Sequence, residues 1–97
     1  MSANMGLRPT KECVKAMRDA FPKGAPVELI FMDDPYRSLP KGLKGNVMLV
    51  DDMGTIHMHW ENGSSLGVVW NVDVVKNTDT GVCSDTFWNN YQPIASV

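Results

Sequence analysis

Two histidines and a glutamate alternate in the run His57-Met58-His59-Trp60-Glu61. On an extended strand successive side chains point to opposite faces, so His57, His59 and Glu61 share one face. Two imidazoles and a carboxylate at that spacing are a partial ligand set for a transition metal. The plainer reading is a polar outer strand face, because the chain has no third histidine. Two acidic pairs, Asp33-Asp34 and Asp51-Asp52, suit a divalent cation if folding brings them together. Their plainer reading is turn chemistry, in which an Asp before Pro or before x-Gly satisfies loop amides with its own carboxylate. Cys13 and Cys83 become nucleophiles only beside a base, and Cys13 falls on an apolar stripe, which reads as core. There is no nucleophile elbow, phosphate-cradling loop or dinucleotide fingerprint. The expectation is therefore a protein that is not an enzyme and takes no cofactor, with the histidine face as the weak metal alternative.

The segment Asp33 to Pro40, DDPYRSLP, is the most informative surface feature. Tyr36 offers an aromatic face and a hydroxyl, Arg37 a forked donor, and Asp33 and Asp34 acceptors. Two prolines stiffen the segment and so lower the entropy lost on binding. In the plainer reading Tyr36 and Leu39 plug the end of a barrel and Asp34 caps a turn. Further on, Trp88 and Tyr91 sit in an otherwise polar stretch, and Trp is enriched among residues that anchor partners. Packing within the chain is the alternative for Trp88. Lys41 and Lys44, with Lys23, Lys76 and Arg37, would form a modest basic patch for nucleic acid if they met at one rim. Scattered solvated lysines are the alternative.

These residues are carried by a helix followed by short strands. Thr10 after Pro9 is an N-cap signal, and Cys13, Val14, Met17, Ala20 and Phe21 recur at helical spacing. Lys11, Glu12, Lys15, Arg18 and Asp19 take the other face. Pro22 and Gly24 stop the helix. The spacing then predicts strands over Val27 to Phe31, Asn46 to Val50, Thr55 to Glu61 and Leu66 to Trp70, and a fifth short one through Val72, Val74 and Val75. A tight turn at Asp51 to Gly54 and an Asn62-Gly63 hairpin turn separate the middle strands. Strict alternation puts Val27, Leu29, Phe31, Val47 and Leu49 inside, followed by Ile56, Met58, Trp60, Leu66 and Val68. Strands this short bury one face each only if the sheet bends strongly. The expected fold is mainly β (α+β): a small antiparallel barrel over 23–76, with a flexible stretch at 1–8, a helix at 9–22, and a segment at 77–97 that packs on the barrel or on a partner.

The chain has 97 residues, which fits one domain with a small core. With 43% hydrophobic and 21% charged residues it falls in the ordinary globular class. The formal net charge of −2 excludes the overall basic footprint of a dedicated duplex-DNA binder. No run approaches the ~18 apolar residues of a membrane span, and with no apolar run after a basic stretch at the amino-terminal end no secretory signal is expected. The expectation is a cytoplasmic protein with two reduced thiols.

The runs VELIFMDDPYRSLPKGLKGNV and VDDMGTIHMHWENGSSLGVV resemble the uncharacterised family known as domain of unknown function 4314. The residues that carry the resemblance are Met32 to Tyr36, Leu39-Pro40, Gly42, Gly45, Val47 and Asp51-Asp52. Gly54, Ile56-His57 and the run from Trp60 to Gly67 complete it. This covers about half the chain and leaves out the first helix and the carboxy-terminal segment. The resemblance implies a Src-homology-3-like barrel and a gene of a phage or other mobile element, and it implies no activity. In barrels of that type the long loop and nearby aromatics line the ligand groove.

Together these readings predict a non-enzymatic module that binds a protein partner through Asp33, Asp34, Tyr36, Arg37, Trp88 and Tyr91, with a homodimer through the carboxy-terminal segment as one form. By analogy with small acidic viral proteins, a concrete version is an inhibitor of a host defence system, such as an anti-CRISPR protein. The alternatives are a nucleic-acid or nucleotide-binding accessory protein using Lys41 and Lys44, and a small metal-dependent enzyme using His57, His59 and Glu61.

Overall fold

The computed structural model describes residues 8–33 and 39–91. The first element is α1 (Lys11–Ala20). Its start follows from the sequence: the Thr10 hydroxyl accepts the Cys13 N–H at 3.0 Å and satisfies one of the free amides of the first turn. Cys13, Val14 and Met17 are buried along its apolar stripe. The helix ends where the Phe21 N–H bonds the Met17 carbonyl, and the Asn77 amide donates to the Ala20 carbonyl at 2.8 Å. A buried side chain thus supplies the cap that the helix lacks locally.

Four strands follow: β1 (Pro26–Phe31), β2 (Lys44–Val50), β3 (Ile56–Trp60) and β4 (Val74–Asn77). They form one antiparallel sheet in the order β3-β2-β1-β4. Val27, Leu29, Val47, Ile56, Met58 and Trp60 all point into the core, as strand alternation predicts. The core is completed by α1 and by Phe87 of α2 (Thr86–Tyr91), whose ring meets Phe21 edge-on at 6.3 Å.

Three residues expected inside are not buried. Phe31 is 46% exposed and Leu49 51%, and Leu66 is only half-buried. For Phe31 and Leu49 the cause is a one-residue irregularity in each of two ladders. In β2 the register passes from Val47↔Met58 to Leu49↔His57, so Met48 is the extra residue and Leu49 turns outward beside His57. Val50, opposite Ile56, takes the core position that strict alternation gave to Leu49. In β1 the pairing passes from Leu29↔Val75 to Phe31↔Val74, which turns Phe31 out in the same way. A bulge inverts the side-chain parity of all that follows it, and nothing in a period of two announces it.

The predicted strand over Leu66 to Trp70 is also corrected. It makes a single bridge, Ile56↔Val68. Beyond it the chain folds on itself: Val72 and Asp73 both donate to the Val69 carbonyl, and Asn71 has φ 68°. The segment therefore cannot carry a ladder from β3 round to β4, and among the described residues the sheet is open. Its edges are nevertheless blunted. Ser64 and Val68 bond the outer side of β3, while Val82 and Ser84 bond the outer side of β4. Short covers of this kind deny a free edge to another chain.

Trp60 fixes the central layer. It is 1% exposed, and its indole N–H donates to the Leu66 carbonyl at 2.8 Å, which holds the turn after β3 against the sheet. Its ring lies on Gly45, where a Cβ would stand 2.9 Å from the ring and 2.7 Å from the His59 carbonyl. Gly45→Ala is therefore expected to lower stability by about 1–3 kcal/mol through overpacking. A denaturant titration checks this: the midpoint falls while the slope is kept, and an unchanged midpoint would show that the ring can move aside.

Candidate functional site

Few of the residues singled out in the sequence meet one another. Asp34, Tyr36 and Arg37 lie outside the described residues, as does the side chain of Tyr91. Trp88 is half-buried and packs against the core from α2. Lys41 is exposed in the turn before β2. Lys44 opposes Glu28 across β1, and Glu28 opposes Lys76 on its other side, so a carboxylate divides these two lysines. His57 and His59 face outward from β3, with Glu61 exposed just beyond it. Among the described residues no three acidic, histidine or cysteine side chains gather as a metal site. Cys13 is fully buried, and its thiol donates to the Phe87 carbonyl at 3.6 Å. Burial pushes that thiol up, partly offset by the Trp70 indole beside it, so it is held as the unreactive form.

His57 does have a partner. Its Nε2 lies 2.8 Å from Asp51 Oδ2, while Asp51 Oδ1 accepts the N–H groups of Met53 and Thr55. Burial raises the Asp51 carboxyl, but the His57 ring and the two backbone donors outweigh it and leave the group below its ordinary value. Asp51 is thus a turn-building residue, and the turn it builds sets the position of Met53.

That turn forms one wall of a groove which no motif announced. The groove has two depressions that share Arg8 and Met53. The larger, about 480 Å³, runs along α1 between Val14, Lys11 and Arg18 on one side and Asp52 and Met53 on the other. The smaller, about 240 Å³, continues past Thr55 and Trp70 to Val69 and Val72. Positions 11, 15 and 18 are spaced i, i+4 and i+7, so Lys11, Lys15 and Arg18 form one stripe of α1, beside the groove-lining Val14. Glu12 and Asp19, seven residues apart, form a separate stripe.

Arg18 is held in place by Nε donating to the Val50 carbonyl and by its guanidinium on Asp52 at 3.0 Å. Arg8 and Lys11 enter no ion pair among the described residues. The groove therefore carries three cations against one carboxylate, on a chain whose net charge is −2. Its walls include Met53 and Val69, two of the most exposed large apolar side chains. Gly54, at φ 81°, allows the turn to approach this closely, because a Cβ there would stand 2.9 Å from Pro9 and 3.1 Å from Trp70.

The far wall is positioned by Asp73, which is buried at 4% exposure. One carboxylate oxygen accepts the Asp33 N–H at 3.0 Å and the other the Val69 N–H at 2.9 Å. The groove wall and the base of the Asp33 loop are thus clamped to the same side chain. Sequence reading missed this group, although the i, i+4, i+7 cations on the outer face of α1 were a visible signal.

A family model described as Domain of unknown function (DUF4314) matches residues 10–78. The match is wider than the stretch that carried the sequence resemblance, since it takes in α1 and the whole sheet. Neither the comparison with curated proteins nor that with solved structures returned a match. No helix among the described residues is long and apolar enough to cross a membrane.

Because the native Asp51 pKa is lowered, its contribution is complete above the unfolded pKa near 4 and is lost as pH falls through the lower native value. Thermal melts of the wild type and of Asp51→Asn should therefore differ most at pH 5–7, with the gap closing below about pH 4. A gap independent of pH would contradict this.

Proposed function

We propose that this chain, which belongs to the DUF4314 family, is a non-enzymatic module that binds a protein partner through the groove between α1 and the turn at Asp51 to Gly54. The observation behind the reading is the union of exposed apolar walls and uncompensated cations in one concave surface. A concave site with an apolar lining and a few placed polar groups is the usual form of a binding site. Met53 supplies an adaptable apolar contact, and Arg8 and Lys11 supply charge with no ion-pair partner among the described residues. Asp73 ties the Asp33 N–H and the groove-wall Val69 N–H to one side chain, and Asp34, Tyr36 and Arg37 are kept in this reading as the further contacts expected from the sequence. Curling of the sheet toward a Src-homology-3-like barrel is part of the same reading, supported by the two bulges and the covered edges. A phage or mobile-element origin and a role against host defence systems are its narrower forms. They are drawn from the family resemblance and from analogy with small acidic viral proteins.

A photo-crosslinking residue placed at Met53 in the producing cells tests the site. A protein adduct is expected from Met53, and none from the same residue placed at Lys44 on the outer face of the sheet. Equal labelling from both positions, or none from Met53, would contradict the assignment. The identity of the adduct distinguishes the narrower forms.

A further inference from the structure

We infer that the groove takes an acidic, extended peptide segment that carries one large apolar side chain. The inference rests on the binding reading above and specifies the partner's chemistry. Three features of the groove select it. First, the cations are strung along it. Lys11 and Arg18 are seven residues apart on α1, which places them about 10 Å from one another along the axis. An extended peptide advances ~3.3 Å per residue and meets the same side every second one. Carboxylates two or four positions apart share one side of such a segment, about 7 or 13 Å apart, and bracket the ~10 Å spacing of the two ends of the cationic row. Arg8, shared by both depressions, extends the row toward Trp70.

Second, an apolar recess lies between the cations. Val14 and Trp70 are buried in its floor, and Met53, 53% exposed, stands at its lip. A ligand without an apolar group would leave Met53 and Val69 in water. Third, the surroundings disfavour a nucleic acid. The Glu12 and Asp19 stripe runs along the same helix, Asp52 sits within the groove, and the net charge of −2 repels a long polyanion. A short acidic segment engages Arg8 and Lys11 without passing over these carboxylates. Arg18, although paired with Asp52, stays half-exposed and forms the far end of the cationic row.

The test is fluorescence anisotropy on the full chain at low salt. The probe is a short labelled peptide of glutamates around a single central Phe. Binding is expected, and it should weaken as salt rises. The double variant R8E/K11E should weaken it about threefold to tenfold, because each rim charge is worth a fraction of a kcal/mol to about one. M53A should weaken it several-fold, while K41E on the opposite turn leaves it unchanged. Circular dichroism confirms that each variant is folded. The lysine version of the peptide and a single-stranded oligonucleotide should bind more weakly than the probe.

The inference is overturned if the probe fails to bind the wild type, if R8E/K11E leaves its affinity unchanged, or if the oligonucleotide or anionic vesicles bind more tightly. The two readings fail separately. A Met53 adduct with a basic partner keeps the binding module and removes the acidic ligand. The absence of any Met53 adduct removes the module itself.

Discussion

A single buried carboxylate carries the irregular half of this protein. Asp73 accepts backbone N–H groups from Asp33 and Val69, two segments that otherwise have no ladder to join. Hydrogen bonds to a charged acceptor contribute about 1.5–3 kcal/mol each, and a buried amide left without a partner costs a comparable amount. The energetics therefore favour a fixed path for the chain just after β1 and just before β4. With that path set, Trp70 is seated against Gly54, Val69 forms the far wall of the groove, and the Asp33 loop leaves the sheet from a defined point. Asn77 acts similarly four residues later. Its amide caps α1, and its side-chain oxygen accepts the N–H groups of Asp79 and Thr80. Two buried polar side chains thus tie helix, sheet and loops together in a domain whose apolar core is small.

The regular half is governed by apolar pattern, and there the sequence is a good guide. The Thr10 cap, the stripe Cys13-Val14-Met17 and the alternation Ile56-Met58-Trp60 each place the right residues inside, because each is a local periodicity read over several residues. The failures have one physical origin. Phe31 and Leu49 turn outward after bulges, and a bulge arises from how two distant strands fit, which neither strand's own sequence displays. The expected strand at Leu66 to Trp70 fails for a related reason. Its β-rich composition is overruled by Asn71 at positive φ and by the Asp73 carboxylate taking the Val69 amide.

The candidate site was less legible than the fold. The cations on α1 stand in the sequence at i, i+4 and i+7, but they become a site only because the Asp51 turn and the Val69 to Val72 segment approach them. That approach depends on long-range contacts through Pro9, Gly54 and Trp70. The residues that first drew attention belong to other parts of the molecule. His57 serves the Asp51 turn, Lys44 and Lys76 flank Glu28, and Cys13 is core. Residues with strong individual chemistry were absorbed by local structure, whereas the groove is built from side chains that are unremarked one at a time.

The central claim is that Asp73 holds the groove wall and the loop base together. Amide hydrogen exchange in the Asp73→Ala protein tests it most directly. The Asp33 and Val69 amides should both exchange at least about tenfold faster than in the wild type, since each loses a charge-assisted bond worth 1.4 kcal/mol or more. The Leu29 and Val47 amides, bonded to Leu43 and Ala25 within the sheet, should keep their protection. Wild-type exchange at Asp33 and Val69 in the folded variant would contradict the account.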